Sequence, residues 1–235
     1  MRLLITRPEP DASALAQELE GLGHAPLVAP LMDIVSRPFA LAFTGVQGVL
    51  FTSANGVRAF ADQVGTPPDG LAAYVVGPAS ADAARVAGWR HVQVAGGDVH
   101  ALAGLVSKTV DPAGGRLVHL SGKAAAGDLA GLLTEQGYDV ERIVAYEARA
   151  AARLPELAGE ALRGGTVEGV LLFSPRTARL YGTLVGEAGL EAAASRVTAY
   201  CLSQAVADAL TALPGVPKKV ASAPQTPQLL ALLSA

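Results

Sequence analysis

Small polar and basic residues gather at one kind of place in this sequence: the junction where a short apolar run gives way to a helical pattern. Thr6 and Arg7 stand there, as do Thr52, Ser53 and Asn55, then Ser80, then Ser121, Gly122 and Lys123. Ser174, Arg176 and Thr177, then Ser203, then Gln225 and Thr226 continue the series. In an open parallel sheet such junctions lie at the carboxyl ends of the strands, where ligands bind. Helix N-termini at that edge present free N–H groups and a partial positive charge. Together they suit an anion, above all one with several carboxylates. Ser, Thr and Asn are also the ordinary N-caps of helices, so each residue alone carries either meaning. Their recurrence in both halves of the chain points to a polyanion cleft between two lobes.

Other chemistries find less support. The four histidines, His24, His91, His100 and His119, show no i,i+4 pairing and have no cysteine close by in sequence, so no metal site is expected. They read as surface or satisfied side chains. Cys201 lies in an apolar run and reads as a small buried hydrophobe rather than a nucleophile. No Gly-x-Ser-x-Gly elbow, Walker lysine loop or Gly-x-Gly-x-x-Gly turn appears. Ala95-Gly96-Gly97-Asp98 is glycine-rich, but adjacent glycines before a helix are common punctuation. Thr6-Arg7-Pro8 stands where a receiver domain would need acidic residues after its first strand.

The elements that must position these residues follow a strand–helix alternation. Arg2 to Ile5 reads as a strand and Asp11 to Leu22 as a helix with Leu15, Leu19 and Leu22 near a 3.6 spacing. Further strand–helix pairs are 48–51 with 54–64, 73–76 with 79–87, 91–94 with 99–107, and 116–120 with 123–136. The last are 169–173 with 175–185, 197–202 with 204–213, and 218–220 with 227–233. Such alternation predicts parallel sheets with helices on both faces. With 235 residues, 51% hydrophobic and 17% charged, there is material for one large or two small cores. A formal net charge of −3 and few aromatics argue against nucleic acid. No run approaches the length of a membrane span, and the apolar N-terminal run is short for a signal peptide. A single cysteine fits a reducing compartment, so a cytoplasmic protein is expected.

The chain also repeats itself. Leu3-Leu4-Ile5-Thr6 with its helix and Gly23 matches Leu117-Val118-His119-Leu120 with its helix and Gly137. Phe51-Thr52-Ser53 with Val57-Arg58-Ala59-Phe60 matches Phe173-Ser174-Pro175 with Ala178-Arg179-Leu180-Tyr181. Val76-Gly77-Pro78 with Ala81-Asp82-Ala83 matches Leu202-Ser203-Gln204 with Ala207-Asp208-Ala209. Three matches in one order imply two related α/β units of about 115 residues each. Asp33 to Pro38 and Ala145 to Leu154 are the candidate crossing segments.

The order and spacing of these segments resemble the uroporphyrinogen-III synthase family along essentially the whole chain. Ile5-Thr6-Arg7-Pro8, Phe51-Thr52-Ser53-Ala54-Asn55-Gly56-Val57, Val76-Gly77-Pro78 with Ser80, and Leu132-Leu133 through Gly137-Tyr138-Asp139-Val140 to Tyr146 carry the likeness. Phe173-Ser174-Pro175 and Ala221-Ser222-Ala223-Pro224-Gln225-Thr226 complete it. The resemblance implies an α/β fold of two flavodoxin-like lobes with parallel sheets, joined by two extended linkers near 33–38 and 144–152. Lobe one is then 1–34 with 151–235, and lobe two is 37–147.

The family reaction implied is ring closure of hydroxymethylbilane. Loss of its hydroxyl as water leaves an electrophilic azafulvene; ring D is attacked at its substituted carbon, and a spiro intermediate fragments and recloses with ring D inverted. Most of the task is positioning, and no cofactor is implied. Tyr146 matches the family's tyrosine near the end of the second linker, where a phenol can protonate the departing hydroxyl. A tyrosine packed in the hinge through a structural hydrogen bond is the alternative. Arg7, Lys123 and Arg176 become candidate carboxylate contacts, with Thr52, Ser53, Asn55, Ser80, Gly122, Ser174, Thr177 and Ser203 as further substrate contacts. Two departures stand out. Ser203 and Val206 occupy positions where the family usually has Gly and Thr, and Ser121 and Lys123 replace a commoner Arg-Gly pattern around Gly122. A monomer is expected, and transient contact with a neighbouring enzyme of the pathway is left open. A non-catalytic relative that binds a tetrapyrrole or another small ligand is the second reading, and a two-lobed solute-binding protein the third.

Overall fold

The computed structural model describes residues 1–124 and 127–234. The chain opens with β1 (Arg2–Ile5), α1 (Asp11–Gly21), β2 (Ala25–Val28) and β3 (Met32–Ser36). Then come β4 (Val46–Phe51), α2 (Ala54–Val64), β5 (Ala72–Val75), α3 (Pro78–Val86), β6 (His91–Val94) and α4 (Val99–Thr109). β7 (Arg116–Gly122), α5 (Leu129–Thr134) and β8 (Val140–Ala150) follow. The chain ends with α6 (Glu156–Arg163), β9 (Gly169–Leu172), α7 (Pro175–Glu187), α8 (Glu191–Ala194), β10 (Thr198–Cys201), α9 (Gln204–Asp208), β11 (Lys218–Val220) and α10 (Thr226–Ala231). Two compact units result: Met1–Asp33 with Arg149–Ala235, and Ile34–Ala148.

The first unit holds a five-stranded sheet in the order β11-β10-β9-β1-β2, whose pairs are all parallel. Side chains alternate across a strand, and here both faces are covered. Leu4, Val170, Leu172 and Cys201 join one core, while Leu3, Ile5, Leu171 and Tyr200 join the other. That double burial is why these strands read as unbroken apolar runs. Pro26 is accommodated because β2 is an edge strand, where one N–H fewer costs no ladder bond.

The second unit holds a six-stranded sheet in the order β3-β8-β7-β4-β5-β6. Its pairs from β8 to β6 are parallel. Val49, Phe51, Val75, Val118 and Leu120 face one core, built on Phe60 and Trp89, whose ring centroids lie 5.0 Å apart. Leu50, Tyr74 and Leu117 face the other, which α4 and α5 cover with Leu102, Val106, Leu129 and Leu133. Arg37 N donates to Ala145 O and Ala151 N to Leu31 O, each at 2.9 Å, so β3 and β8 run antiparallel where the chain crosses.

The internal repeat and the sheets cut the chain differently. The matched segments pair β1 with β7, β4 with β9 and β5 with β10. With β3, the added edge strand of the six-stranded sheet, set aside, each sheet takes its first two strands from one repeat and its last three from the other. Counted by repeat, the remaining five strands of each sheet have the order second-first-third-fourth-fifth, the flavodoxin-like order.

Several elements differ from the sequence reading. α5 covers only Leu129–Thr134 of the helix expected over 123–136, because the Asp128 side chain accepts from Gly131 N at 3.0 Å and caps it late. Ala125 and Ala126 of that expected helix lie outside the described residues, as does Ala235. α6 has no counterpart in the sequence reading. It buries Ala158, Gly159, Ala161 and Leu162 on one face. Among the described residues no helix is long and apolar enough to cross a membrane.

Candidate active site

In a doubly wound sheet the ligand crevice opens at the carboxyl edge, where successive connections leave in opposite directions. In the first unit that point lies between β1 and β9. In the second it lies between β4 and β7. Most of the sequence-derived candidates fall at or next to these two points.

At the β1/β9 point, Thr6 is fully buried and its Oγ1 donates to Leu171 O at 2.9 Å, tying the two strands together. Arg7 follows. Its guanidinium lies 4.6 Å from the Phe173 ring centroid and 2.8 Å from Asp11 Oδ2. Aromatic face and carboxylate thus fix the arginine's direction. Ser174 caps α7: its Oγ accepts from Thr177 N at 3.1 Å and lies 2.9 Å from Thr177 Oγ1. Thr177 is buried, so it supports Ser174 and offers no open surface. Arg176 is exposed on the first turn of α7. One strand further out, Ser203 precedes α9 but its side chain makes no capping bond. Val206 is buried in the core of this unit, where it serves packing.

The β4/β7 point is more elaborate. Strand register sets Phe51 beside Leu120 and Gly122 beside Tyr146, with an irregularity between Ser121 and Gly122. α2 sits close over this edge because Gly56 lacks a side chain; a Cβ there would lie 2.7 Å from Leu120 O. Ser53 Oγ caps α2 by accepting from Asn55 N at 3.2 Å, and Asn55 Oδ1 accepts from Arg58 at 2.8 Å. Ser80, in the first turn of α3, is nearly buried at 5% exposure.

Gly122 and Tyr146 are one arrangement. A Cβ on Gly122 would lie 2.9 Å from Tyr146 Cζ, 3.0 Å from Cε2 and 3.1 Å from the hydroxyl oxygen. The tyrosine ring therefore lies directly on the glycine, and the side chain packs against the hydrophobic core of this unit. Among the described residues its hydroxyl has no hydrogen-bond partner. The neighbouring backbone is held firmly: Lys123 N donates to Tyr146 O at 2.9 Å, and Arg142 donates to Ser121 Oγ at 2.9 Å and to Gly122 O at 3.0 Å. Lys123 Nζ pairs with Glu147 at 2.9 Å, and the second Glu147 oxygen lies 3.5 Å from Arg37.

One residue escaped the sequence reading. His119 is neither on the surface nor satisfied. It is 1% exposed, its Nε2 lies 3.3 Å from Thr52 Oγ1, and its Nδ1 has no partner among the described residues. Burial, reinforced by the Arg142 charge and opposed by Asp128, lowers its pKa to about 4. The only sequence signal was a histidine in the middle of an apolar strand. Cys201 is buried, and burial raises its thiol pKa to about 11, which keeps it protonated and unreactive. Among the described residues no three His, Cys, Asp or Glu side chains form a group able to hold a metal ion.

Comparison with known proteins sets this geometry in a family. A search of curated protein sequences finds no match. Among solved structures, the uroporphyrinogen-III synthetase of Helicobacter pylori 26695 superposes with a TM-score of 0.63 at 19% identity, covering 100% of this chain and 99% of that one. A mutant uroporphyrinogen III synthase of the extremely thermophilic bacterium Thermus thermophilus gives 0.56 at 22% identity, covering 100% and 96%. At these identities the likeness is one of fold. The family model described as uroporphyrinogen-III synthase HemD matches residues 13–231, nearly the whole chain. This chain belongs to the uroporphyrinogen-III synthase HemD family.

Proposed function

We propose that the chain is a working uroporphyrinogen-III synthase that closes hydroxymethylbilane with loss of water and inversion of ring D. Family membership supports the reaction, and one observation supports its seat. Tyr146 lies at the carboxyl edge of a parallel sheet, pressed on Gly122, with its hydroxyl uncommitted among the described residues. In this reading the phenol gives its proton to the leaving hydroxyl, which departs as water, while the pyrrole nitrogen supplies the electron pair that forms the azafulvene. The phenolate then takes back the proton released when the closed macrocycle regains its aromatic pyrroles. In each unit taken by itself the polar rim offers donors suited to carboxylates: Thr52, Ser53 and Asn55 in the second, and Arg7, Ser174, Arg176 and Ser203 in the first. Lys123 acts from its exposed position beside Glu147. Ser80 and Thr177, both nearly buried, act from behind this rim. Acid assistance and positioning are sufficient chemistry, so no cofactor is called for.

The reading has the enzyme work as a monomer in the cytoplasm, a setting that suits its one unbridged cysteine. The decisive experiment mixes purified protein with freshly made hydroxymethylbilane, oxidises the products and resolves the uroporphyrin isomers. Isomer III above the uncatalysed background is expected. Isomer I at the uncatalysed rate sinks the enzyme and leaves a tetrapyrrole-binding relative. Tyr146→Phe is expected to lose on the order of 10²–10⁴-fold in turnover; an unchanged rate and isomer ratio in a folded variant removes Tyr146 from the chemistry.

A further inference from the structure

We propose that His119 is a positioning residue for Thr52: its imidazole carries its proton on Nε2, donates it to Thr52 Oγ1, and so turns the Thr52 hydroxyl into a dedicated donor for a substrate carboxylate. The proposal rests on the reading of Thr52 as a substrate contact and adds to it what sets that contact's polarity.

The geometry begins with the sheet. Leu50 stands beside His119 in the β4–β7 register, so Thr52 and His119 project from the same face, two residues apart along neighbouring strands. The ring is enclosed, at 1% exposure, on the face covered by α4 and α5. Its Nε2 meets Thr52 Oγ1 at 3.3 Å, and its Nδ1 meets no partner among the described residues. A neutral imidazole has one N–H and one lone pair, and the bond made by one nitrogen decides the other. Two arrangements are open. With the proton on Nδ1, a buried N–H goes unpaired, which folded proteins almost never tolerate. With the proton on Nε2, the N–H is paired and only a lone pair is left over, the lesser cost. The charged groups acting on the ring are Arg142 and Asp128, and burial with Arg142 outweighs Asp128, so the imidazole is neutral near pH 7.

The consequence falls on Thr52. A hydroxyl has one proton and two acceptor sites. With one acceptor site taken by His119, its proton is available to an acceptor outside the protein. A carboxylate only accepts, so it matches that proton and no other arrangement of the pair. Hydrogen bonds in a chain polarise one another, which strengthens the outer bond. Thr52 is itself half-buried, so one side of the hydroxyl remains open.

Two measurements test this. Long-range nitrogen–proton NMR of the imidazole in the wild-type protein at pH 7 is expected to show His119 as the neutral Nε2–H tautomer. An Nδ1–H tautomer or an imidazolium overturns the hydrogen bond, whatever the kinetics show. The second is a cycle of Thr52→Val, His119→Leu and the double variant, with His119→Gln, which keeps an N–H near the Nε2 position, as the conservative control. Each single variant is expected to raise KM for hydroxymethylbilane roughly tenfold, the loss of one hydrogen bond to a charged group, with a smaller change in kcat. The double variant is expected to match Thr52→Val alone, and His119→Gln to recover most of the KM. Fully additive effects overturn the coupling. An unchanged KM in Thr52→Val together with the Nε2–H tautomer overturns the substrate contact instead, so the two failures are distinct.

Discussion

Gly122→Ala is the sharpest probe of the Tyr146 arrangement, because it moves the phenol without replacing it. The added methyl would stand 2.9 Å from Tyr146 Cζ and 3.1 Å from its oxygen. Carbon contacts settle near 3.5–4.0 Å, so the hydroxyl end of the ring must retreat by roughly 0.5–1 Å. The backbone at Gly122 is outside the left-handed region, so alanine brings no torsional strain of its own. The overpacking is expected to cost about 1–3 kcal/mol of stability, which thermal unfolding checks. A misplacement of about 1 Å at a reacting group costs on the order of 10²-fold. The assay follows consumption of hydroxymethylbilane and the ratio of isomer III to isomer I, comparing wild type, Gly122→Ala, Tyr146→Phe and the double variant. Gly122→Ala is expected to fall about 10²-fold in kcat. In the Tyr146→Phe background the same alanine is expected to add little, because the proton it displaces is already gone. Wild-type turnover from folded Gly122→Ala would refute the reasoning, since it would show that the phenol's position is irrelevant to the rate.

Further expectations concern stability. His119 titrates at about 4 when folded against 6.5 for the free side chain, so between those values the unfolded chain binds the extra proton. Its stabilising contribution is therefore complete above pH 6.5 and is lost as pH falls toward 4, about 3 kcal/mol in all; urea midpoints at pH 7.5 and 4.5 for wild type and His119→Leu read it as a difference, and parallel curves would contradict it. Tyr181 is fully buried, its hydroxyl has no partner among the described residues, and its pKa is raised by that burial. Tyr181→Phe is expected to leave stability unchanged or to raise it by about 1–3 kcal/mol, and a lower melting temperature would show a hidden partner. Ser174→Ala removes a helix cap and is expected to cost about 1 kcal/mol. Ser203→Ala removes none and is expected to stay within about 0.5 kcal/mol by denaturant titration while weakening substrate binding; an equal loss of stability in both variants would argue that Ser203 is a cap after all.

The α/β alternation and the repeat were legible in the sequence because each rests on the pattern of residues along the chain, whereas the division into two lobes came from the family resemblance. Apolar runs such as Leu3–Ile5 and Val170–Leu172 announce parallel strands buried on both faces, and Ser53 and Ser174 announce the helices they cap. Recurrent junction residues mark the carboxyl edges of both sheets. Where local pattern is weak, the reading faltered. The start of α5 depends on which of several polar residues supplies the cap.

The rest depended on tertiary contacts. That Gly122 and Tyr146 share one spot, 24 positions apart, follows from the β7–β8 register and its irregularity, which no single strand encodes. That Ser174 caps its helix, Ser203 caps nothing and Thr6 ties two strands together depends on the direction of each side chain, though all three look alike as junction residues. His119 shows the division most plainly. In the sequence it is one of four histidines that read as surface or satisfied side chains. Only the packing of α4 and α5 on its face of the sheet removes it from water, keeps it neutral and leaves it Thr52 as its hydrogen-bond partner among the described residues. The sequence determined where the edges lie, because strands and caps are local. The tertiary structure decided which edge residues turn outward, because burial and hydrogen-bond direction belong to the assembled sheet.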